Sequence, residues 1–181
     1  MSTRNVQGRI VHVGDDISAD LILPARWVLK PPEEAARHLL EDLDPALPAR
    51  ILEADIIVAG KNFGGGTGRE ATLRAIRAAG IRAVVAVSAA RLFYRNAINN
   101  GILVIQTPQA ELLRRFPDGT LASIDPAAGI LSAEGIAVGF EPLPPAILGI
   151  VAAGGLENYG ASLAGAGNGG APDRPLNRAG G

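Results

Sequence analysis

The feature that most constrains the fold is the junction from residue 55 to residue 70, where an apolar segment runs through a glycine-rich turn into a helix. Residues 56–59 are all apolar, which predicts a short, buried strand. Glycine occupies four of the five positions from 64 to 68. The alanine-rich segment 70–79 is followed by Gly80, which predicts a helix and its end. A strand, a tight turn and a helix in this order indicate one unit of an α/β protein.

Apolar and helical segments alternate along the rest of the chain. Strands are predicted at residues 8–13, 56–59, 83–87 and 102–105, and helices at 33–43, 70–79, 88–96, 109–115 and 144–153. Short strands at 123–125, 130–132 and 136–138 predict a small antiparallel extension. The fold class is therefore α/β with a parallel layer. We expect one folded domain over residues 1–160 and a flexible Gly/Ala-rich tail over 161–181.

The glycine-rich junction has the chemistry of an anion site. A helix start offers backbone N–H groups without intrahelical partners, and the aligned peptide dipoles add positive charge there. Arg69 supplies a planar fork suited to a carboxylate, and Thr67 places a hydroxyl beside it. The alternative is a tight turn with no ligand, which the glycines would also serve.

The spacing of the junction argues against nucleotide binding. A Gly-x-Gly-x-x-Gly fingerprint begun at Gly64 ends on Arg69 instead of glycine. The looser form ending in Ala71 fits, but no acidic residue lies between Glu70 and Glu111 to hold a ribose. A phosphate loop needs a Lys after the glycines, and none follows. Both nucleotide interpretations are therefore weakened.

Composition narrows the class of protein further. The formal net charge is −1, which gives no electrostatic reason to expect nucleic acid as a partner. There is no Cys, and His12 and His38 lack metal-ligand spacing, so we expect no metal site in this chain. His12 is predicted in a strand and His38 on a helix surface. No leader and no apolar run of membrane-spanning length occurs, so we expect a cytoplasmic protein without a membrane partner.

Four segments resemble the small subunit of isopropylmalate dehydratase, in the aconitase superfamily. Lys61-Asn-Phe-Gly-Gly-Gly-Thr-Gly-Arg-Glu70 is similar to that family's Asn-Phe-Gly-Cys-Gly-Ser-Ser-Arg-Glu-His loop. Residues 14–26 resemble its Gly-Asp-Asn-Ile-Asp-Thr-Asp segment with the Pro-Ala-Arg that follows. Residues 90–101 and 154–159 resemble its Ala-Arg-Ile-Phe-Tyr-Arg-Asn and Gly-Gly-Leu segments. The matches span about residues 8 to 160, nearly the whole folded chain.

The resemblance implies a fold, a partner and a cofactor. The fold would be the swivelling β/β/α domain of the aconitase small-subunit type. The partner would be a large subunit that carries a 4Fe-4S cluster, with none bound by this chain. The reaction would be removal and re-addition of water on a hydroxy di- or tricarboxylate, with 3-isopropylmalate in leucine biosynthesis as the leading candidate.

The resemblance also implies roles for individual residues. Thr67 occupies the position of the family's proton-abstracting Ser, and Asp20 that of an Asp which orients catalytic groups. The implied substrate-binding residues are Arg69, Gly68, Gly66, Arg26 and Lys30. Arg69 could instead form an ion pair with Glu70 or Asp20, and Asp20 could instead serve as a turn or helix cap.

Several positions depart from the family pattern. Gly68 replaces the second Ser, Gly65 the Cys, Ala71 the His and Ala19 the Thr before Asp20. Residues 26–30 occupy the family's specificity loop, where Val28 and Leu29 suit an alkyl group and Lys30 suits a third carboxylate.

Three functions therefore stay open at this point. The first is the small subunit of a 3-isopropylmalate dehydratase. The second is a paralogue that hydrates another branched acid, of the dimethylmaleate or homoaconitate type. The third is a non-catalytic carboxylate-binding module that keeps Arg69 and has lost the base.

Overall fold

A seven-stranded sheet forms the centre of the protein. The computed structural model describes residues 5–66 and 69–166. The strands lie in the order β4-β3-β2-β1-β5-β6-β7, in which β1 to β4 are parallel and β5 to β7 join antiparallel. Their bounds are β1 Val6–His12, β2 Ile56–Ala59, β3 Ala83–Ala86, β4 Leu103–Gln106, β5 Leu121–Asp125, β6 Ile130–Ala133 and β7 Ile136–Gly139. The predicted α/β class and antiparallel extension are confirmed.

Helices connect the parallel strands, and most of them pack against one face of the sheet. Their bounds are α1 Ala19–Ile22, α2 Pro32–Ala35, α3 Leu47–Leu52, α4 Glu70–Ala78, α5 Arg91–Asn99, α6 Ala110–Leu113, α7 Pro145–Ala152 and α8 Leu156–Ala166, with 3₁₀ turns at Ala25–Trp27 and Ala36–His38. Helix α4 buries Leu73, Ala75 and Ile76, which share one side of the helix, and Gly80 follows its end with φ +90°. No helix among the described residues is long and apolar enough to cross a membrane.

The parallel strands bury side chains on both faces, as their apolar sequences predict. Alternate residues such as Val11, Ile57 and Val84 face the core beneath the helices. Their neighbours, such as Ile10 and Ile56, face a second core shared with the antiparallel strands. The sheet curls so that its two edge strands, β4 and β7, come close together. Thr107 Oγ1, just after β4, donates a 3.0 Å hydrogen bond to the carbonyl of Gly139 in β7.

The helix predicted over residues 33–43 is wrong in its second half. It divides into α2 and the Ala36–His38 turn, and Leu39 then leaves helical geometry with ψ 126°. Leu40 adopts φ +60°, is fully buried, and donates its N–H to the carbonyl of Ile22 at 2.9 Å. A tertiary contact therefore overrides the local helical pattern.

Other boundaries also differ from the predictions. The helix predicted at 88–96 begins later, at Arg91, because residues 88–90 form backbone hydrogen bonds with Phe63. A further helix that was not predicted, α8, spans Leu156–Ala166 and so extends beyond the predicted start of the tail at residue 161. The rest of the predicted tail, residues 167–181, lies outside the described residues.

Candidate functional site

Three loops meet at the carboxyl ends of neighbouring parallel strands. They are residues 13–18 after β1, residues 60–66 after β2, and residues 87–90 after β3. Isolated β-bridges join Ser18 to Gly65 and Phe63 to Ala89. This edge is where open α/β sheets bind their ligands, since loops from several strands converge there.

The first two loops are tied together by side chains and backbone. Asp15 Oδ1 accepts a hydrogen bond from the backbone N–H of Lys61 at 2.7 Å. Asn62 donates from Nδ2 to Asp16 Oδ1 at 3.2 Å. Asp16 and Asn62 both adopt φ +55°, which Asp and Asn tolerate better than most residues. The acidic pair after β1 is therefore part of the scaffold of the glycine-rich loop.

Gly64 brings the backbone of this loop against the core. It has φ +77° and donates its N–H to the carbonyl of Ile17 at 2.7 Å. A Cβ at this position would lie 2.3 Å from the Phe93 ring, which leaves no room for a side chain. Phe63 is fully buried and meets Phe93 edge to face at 5.1 Å. Glycine is needed here for both its backbone angle and its size.

Arg69 and Asp20 meet at the start of α4. Arg69 is the N-cap residue of that helix, and its Nη1 lies 3.3 Å from Asp20 Oδ1. Asp20 lies in the first turn of α1, whose cap is Ser18, with Ser18 Oγ accepting from the N–H of Leu21 at 3.2 Å. The capping role considered for Asp20 thus belongs to Ser18, while its carboxylate contacts Arg69.

The glycine-rich loop itself is described up to residue 66. Gly66 is exposed with φ +108°. A Cβ at Gly65 would meet only the Asn62 side chain, at 3.6 Å or more, which is ordinary contact. The predicted base Thr67 and the predicted substrate contact Gly68 lie outside the described residues. Their assignments stay predictions.

The structure places Arg26 and Lys30 in ion pairs on the surface. Arg26 pairs with Glu41 and Asp42, and Lys30 Nζ lies 3.0 Å from Glu34 Oε1. Val28 packs against the core beneath the helices, whereas Leu29 is 96% exposed. Within the segment 26–30, the side chain that projects furthest into solvent is therefore the aliphatic Leu29.

The sequence did not point to the partners of Arg26. His38 is half-buried, with its ring stacked on Trp27 at 3.5 Å, so it is not the helix-surface residue that was predicted. His38 Nδ1 lies 2.6 Å from Glu41 Oε2. The only sign of these partners in the sequence was the adjacent acidic pair Glu41 and Asp42, which the predicted helix would have exposed to solvent.

Relatives of this chain match it over most of their length. The chain is 41% identical over 157 residues to the 3-isopropylmalate dehydratase small subunit of Nautilia profundicola, covering 85% of this chain and 93% of the relative. The corresponding subunit of Moorella thermoacetica is 43% identical over 157 residues, with the same shares covered. This chain belongs to the family of 3-isopropylmalate dehydratase small subunits.

Two further comparisons agree with this family. Residues 40–110 match the aconitase C-terminal domain. A crystal structure of 3-isopropylmalate dehydratase from Methanocaldococcus jannaschii has a TM-score of 0.78 and 35% sequence identity, and the match covers 92% of this chain and 100% of that one. The expected swivelling β/β/α fold of the aconitase small-subunit type is therefore confirmed.

The described part of the site holds a paired Arg69 and Asp20 and no cluster of metal ligands. Within residues 5–66 and 69–166, no group of three His, Cys, Asp or Glu side chains is arranged to hold a metal ion. The whole chain contains no Cys, so it lacks the thiolates that hold iron-sulfur clusters. Its residues therefore do not fit an iron-sulfur cluster.

Proposed function

We propose that this chain is the small subunit of a two-chain 3-isopropylmalate dehydratase, a hydro-lyase of leucine biosynthesis. The observation that carries the proposal is the meeting of Arg69 and Asp20 at the start of α4, on the loop whose sequence resembles the family's catalytic loop. The names of its relatives support this function over the two alternatives, the paralogue for another branched acid and the non-catalytic module.

Arg69 binds a substrate carboxylate in this proposal. Its guanidinium has five N–H donors in a fork, so a contact through Nη1 to Asp20 leaves donors for a second carboxylate. The Arg69 and Asp20 side chains are 37% and 63% exposed, and exposed ion pairs contribute only about 0–1 kcal/mol. A substrate carboxylate can therefore compete with Asp20, and the positive end of α4 adds to its binding.

Thr67 takes the substrate proton in this proposal. A hydroxyl is a weak base in water and needs nearby N–H groups and cations to hold the alkoxide form. Arg69 lies two positions along the chain and supplies a positive charge. Asp20 orients Arg69 and the groups of the partner subunit that complete the site.

Leu29 supports the choice of an alkyl-substituted substrate. Lys30 would suit a third carboxylate, but its exposed pair with Glu34 is weak and decides nothing, whereas Leu29 is 96% exposed. An aliphatic side chain held out in water is suited to contact an isopropyl group when the site closes. This favours 3-isopropylmalate over a homoaconitate-type acid.

The partner in this proposal is a large subunit that carries the iron-sulfur cluster. Aconitase-family membership suggests that cluster, and the small-subunit names of the relatives imply the partner. The cytoplasm is the proposed location, in keeping with a soluble biosynthetic enzyme.

The test combines this chain with a 3-isopropylmalate dehydratase large subunit from the same organism. We expect turnover of 3-isopropylmalate by the complex and none by the purified chain alone. Leu29→Ser should raise KM for 3-isopropylmalate by about tenfold or more, since contacts to one or two methyl groups are worth about 1–3 kcal/mol. Leu121→Ser, at an exposed leucine on β5, is the matched control. Turnover by the chain alone, or a complex that prefers a tricarboxylate, would overturn the proposal.

A further inference from the structure

A set of hydrogen bonds and ion pairs holds the segment 26–30 in place. We call it the Glu41 network and define it as Arg26, Trp27, His38, Glu41 and Asp42. The Trp27 indole N–H donates to Glu41 Oε1 at 2.6 Å, and His38 Nδ1 lies 2.6 Å from Glu41 Oε2. Arg26 reaches both carboxylates, with Nη1 3.0 Å from Asp42 Oδ2. Two residues of the segment are therefore fixed by side chains from a different part of the chain.

Glu41 lies at the centre of this network. Its side chain is 21% exposed, and both of its oxygens have partners. Burial opposes its ionisation, yet hydrogen bonds from Trp27, His38 and Arg26 lower the pKa of Glu41 to about 2. The carboxylate is thus held charged across the physiological range. This distinguishes it from an ordinary exposed ion pair, which contributes little.

The backbone just before Glu41 is strained, and this conformation places the Glu41 side chain in the network. Leu40 is a bulky residue at φ +60°, a conformation that costs of the order of 1–3 kcal/mol. It is held there by complete burial and by the hydrogen bond from its N–H to the carbonyl of Ile22. The reversal at Leu40 ends the helical pattern and turns Glu41 toward Arg26 and Trp27. Without it, the acidic pair would follow the helix into solvent.

The segment 26–30 holds the Leu29 side chain in solvent. Trp27 and Val28 pack against the core, and the N–H of Lys30 donates to the carbonyl of Trp27 at 3.0 Å. The segment follows directly after α1, which carries Asp20 and so meets Arg69. The position of Leu29 relative to the Arg69 site therefore depends on how firmly Arg26 and Trp27 are held.

We infer that Glu41 is a positioning residue for substrate selectivity, which holds the segment 26–30 so that Leu29 contacts the alkyl group of the substrate. This inference rests on the proposed function. Glu41 acts through Arg26 and Trp27 and does not itself touch the substrate. Its loss should weaken discrimination between substrates with and without the alkyl group, more than it slows the chemical step.

The experiment uses the complex with the large subunit and compares Glu41→Gln with Glu33→Gln. Glu33 is exposed on α2 and lies outside the Glu41 network, so it controls for loss of one negative charge. The ratio of kcat/KM for 3-isopropylmalate to kcat/KM for malate, which lacks the isopropyl group, should fall about tenfold in Glu41→Gln. The fall should come mainly through KM for 3-isopropylmalate, and Glu33→Gln should match the wild type.

Trp27 gives a second readout that does not depend on activity. It is the only Trp in the chain, so its fluorescence reports the network directly. Acrylamide quenching measures how accessible the indole is. In the isolated subunit it should increase at least about twofold in Glu41→Gln, because the indole loses its charged acceptor and is held less firmly. If Glu41→Gln gives too little folded protein, Glu41→Asp keeps the charge but shortens the side chain, so that it no longer reaches Trp27 and His38 together, and it should change both readouts in the same direction.

The outcomes separate this inference from the proposed function. A selective wild-type complex whose selectivity is unchanged in Glu41→Gln overturns the positioning role alone. An equal fall of kcat for both substrates, with KM unchanged, overturns it as well. A wild-type complex that does not turn over 3-isopropylmalate overturns the proposed function and, with it, the role of Leu29 and Glu41 in selectivity.

Discussion

Arg69 Nη1 lies 3.3 Å from Asp20 Oδ1, and this contact joins the first turn of α1 to the start of α4. The two residues lie far apart in sequence, since Asp20 follows β1 and Arg69 follows β2. They meet because the loops after β1 and β2 run side by side, joined by the bridge between Ser18 and Gly65. Four predictions follow from this site and from the sheet that supports it.

Arg69→Lys should lower kcat/KM of the assembled complex by roughly tenfold to a thousandfold, about 1.4 to 4 kcal/mol, because Lys keeps the charge but loses the fork. The melting temperature should change little, since the ion pair with Asp20 is exposed. Kinetics and thermal unfolding are measured on the same preparation. Normal kinetics with a large loss of stability would mean that Arg69 is a structural residue.

Thr67→Val should abolish exchange of the substrate proton with solvent, because it keeps the shape of the side chain and removes its oxygen. Thr67→Ser restores the residue of the family pattern and should retain or raise the rate. Deuterium incorporation from D₂O into the substrate by the complex is the measurement. Unchanged exchange in Thr67→Val would place the base elsewhere.

Gly64→Ala should destabilise the chain by about 2–5 kcal/mol, since it adds left-handed backbone strain to a clash with Phe93. The matched control is Gly119→Ala. Gly119 has a similar φ of +80°, but its Cβ would meet no atom within 4 Å, so only the strain of about 1–2 kcal/mol is expected. Urea denaturation of both variants gives the two values, and equal losses would rule out the clash with Phe93.

His12 should make stability depend on pH below neutrality. Burial lowers the pKa of His12 below 6.5, the hydrogen bond to the Phe116 carbonyl opposes this, and Arg50 lowers it further. The folded state therefore binds the proton less readily than the unfolded state. The stability that neutral His12 provides is complete above about pH 6.5 and is lost as the pH falls below that value.

The test of His12 compares the wild type with His12→Gln, which keeps a side-chain N–H donor. The stability difference between the two proteins in urea denaturation should shrink between pH 7 and about pH 5. An NMR titration that gives His12 a pKa at or above 6.5 would contradict the prediction.

The sequence alone determined the α/β class, the four parallel strands, the antiparallel extension and the glycine-rich loop with Arg69. These features are local: apolar runs, glycines and helix ends act over a few residues, and the family motifs are contiguous. Arg69 could be predicted as a binding residue because its neighbours in sequence, the glycines and the helix start, indicate an anion site.

Only the tertiary structure decided which distant residues meet. The sequence left open whether Arg69 pairs with Glu70 or Asp20, and the parallel packing of two loops selected Asp20. The helical pattern of residues 33–43 favoured a continuous helix, but burial of Leu40 and its hydrogen bond to Ile22 reversed the chain there. Glu41 thereby reached Arg26 and Trp27. Such contacts depend on the sum of packing across the sheet, which no local pattern contains.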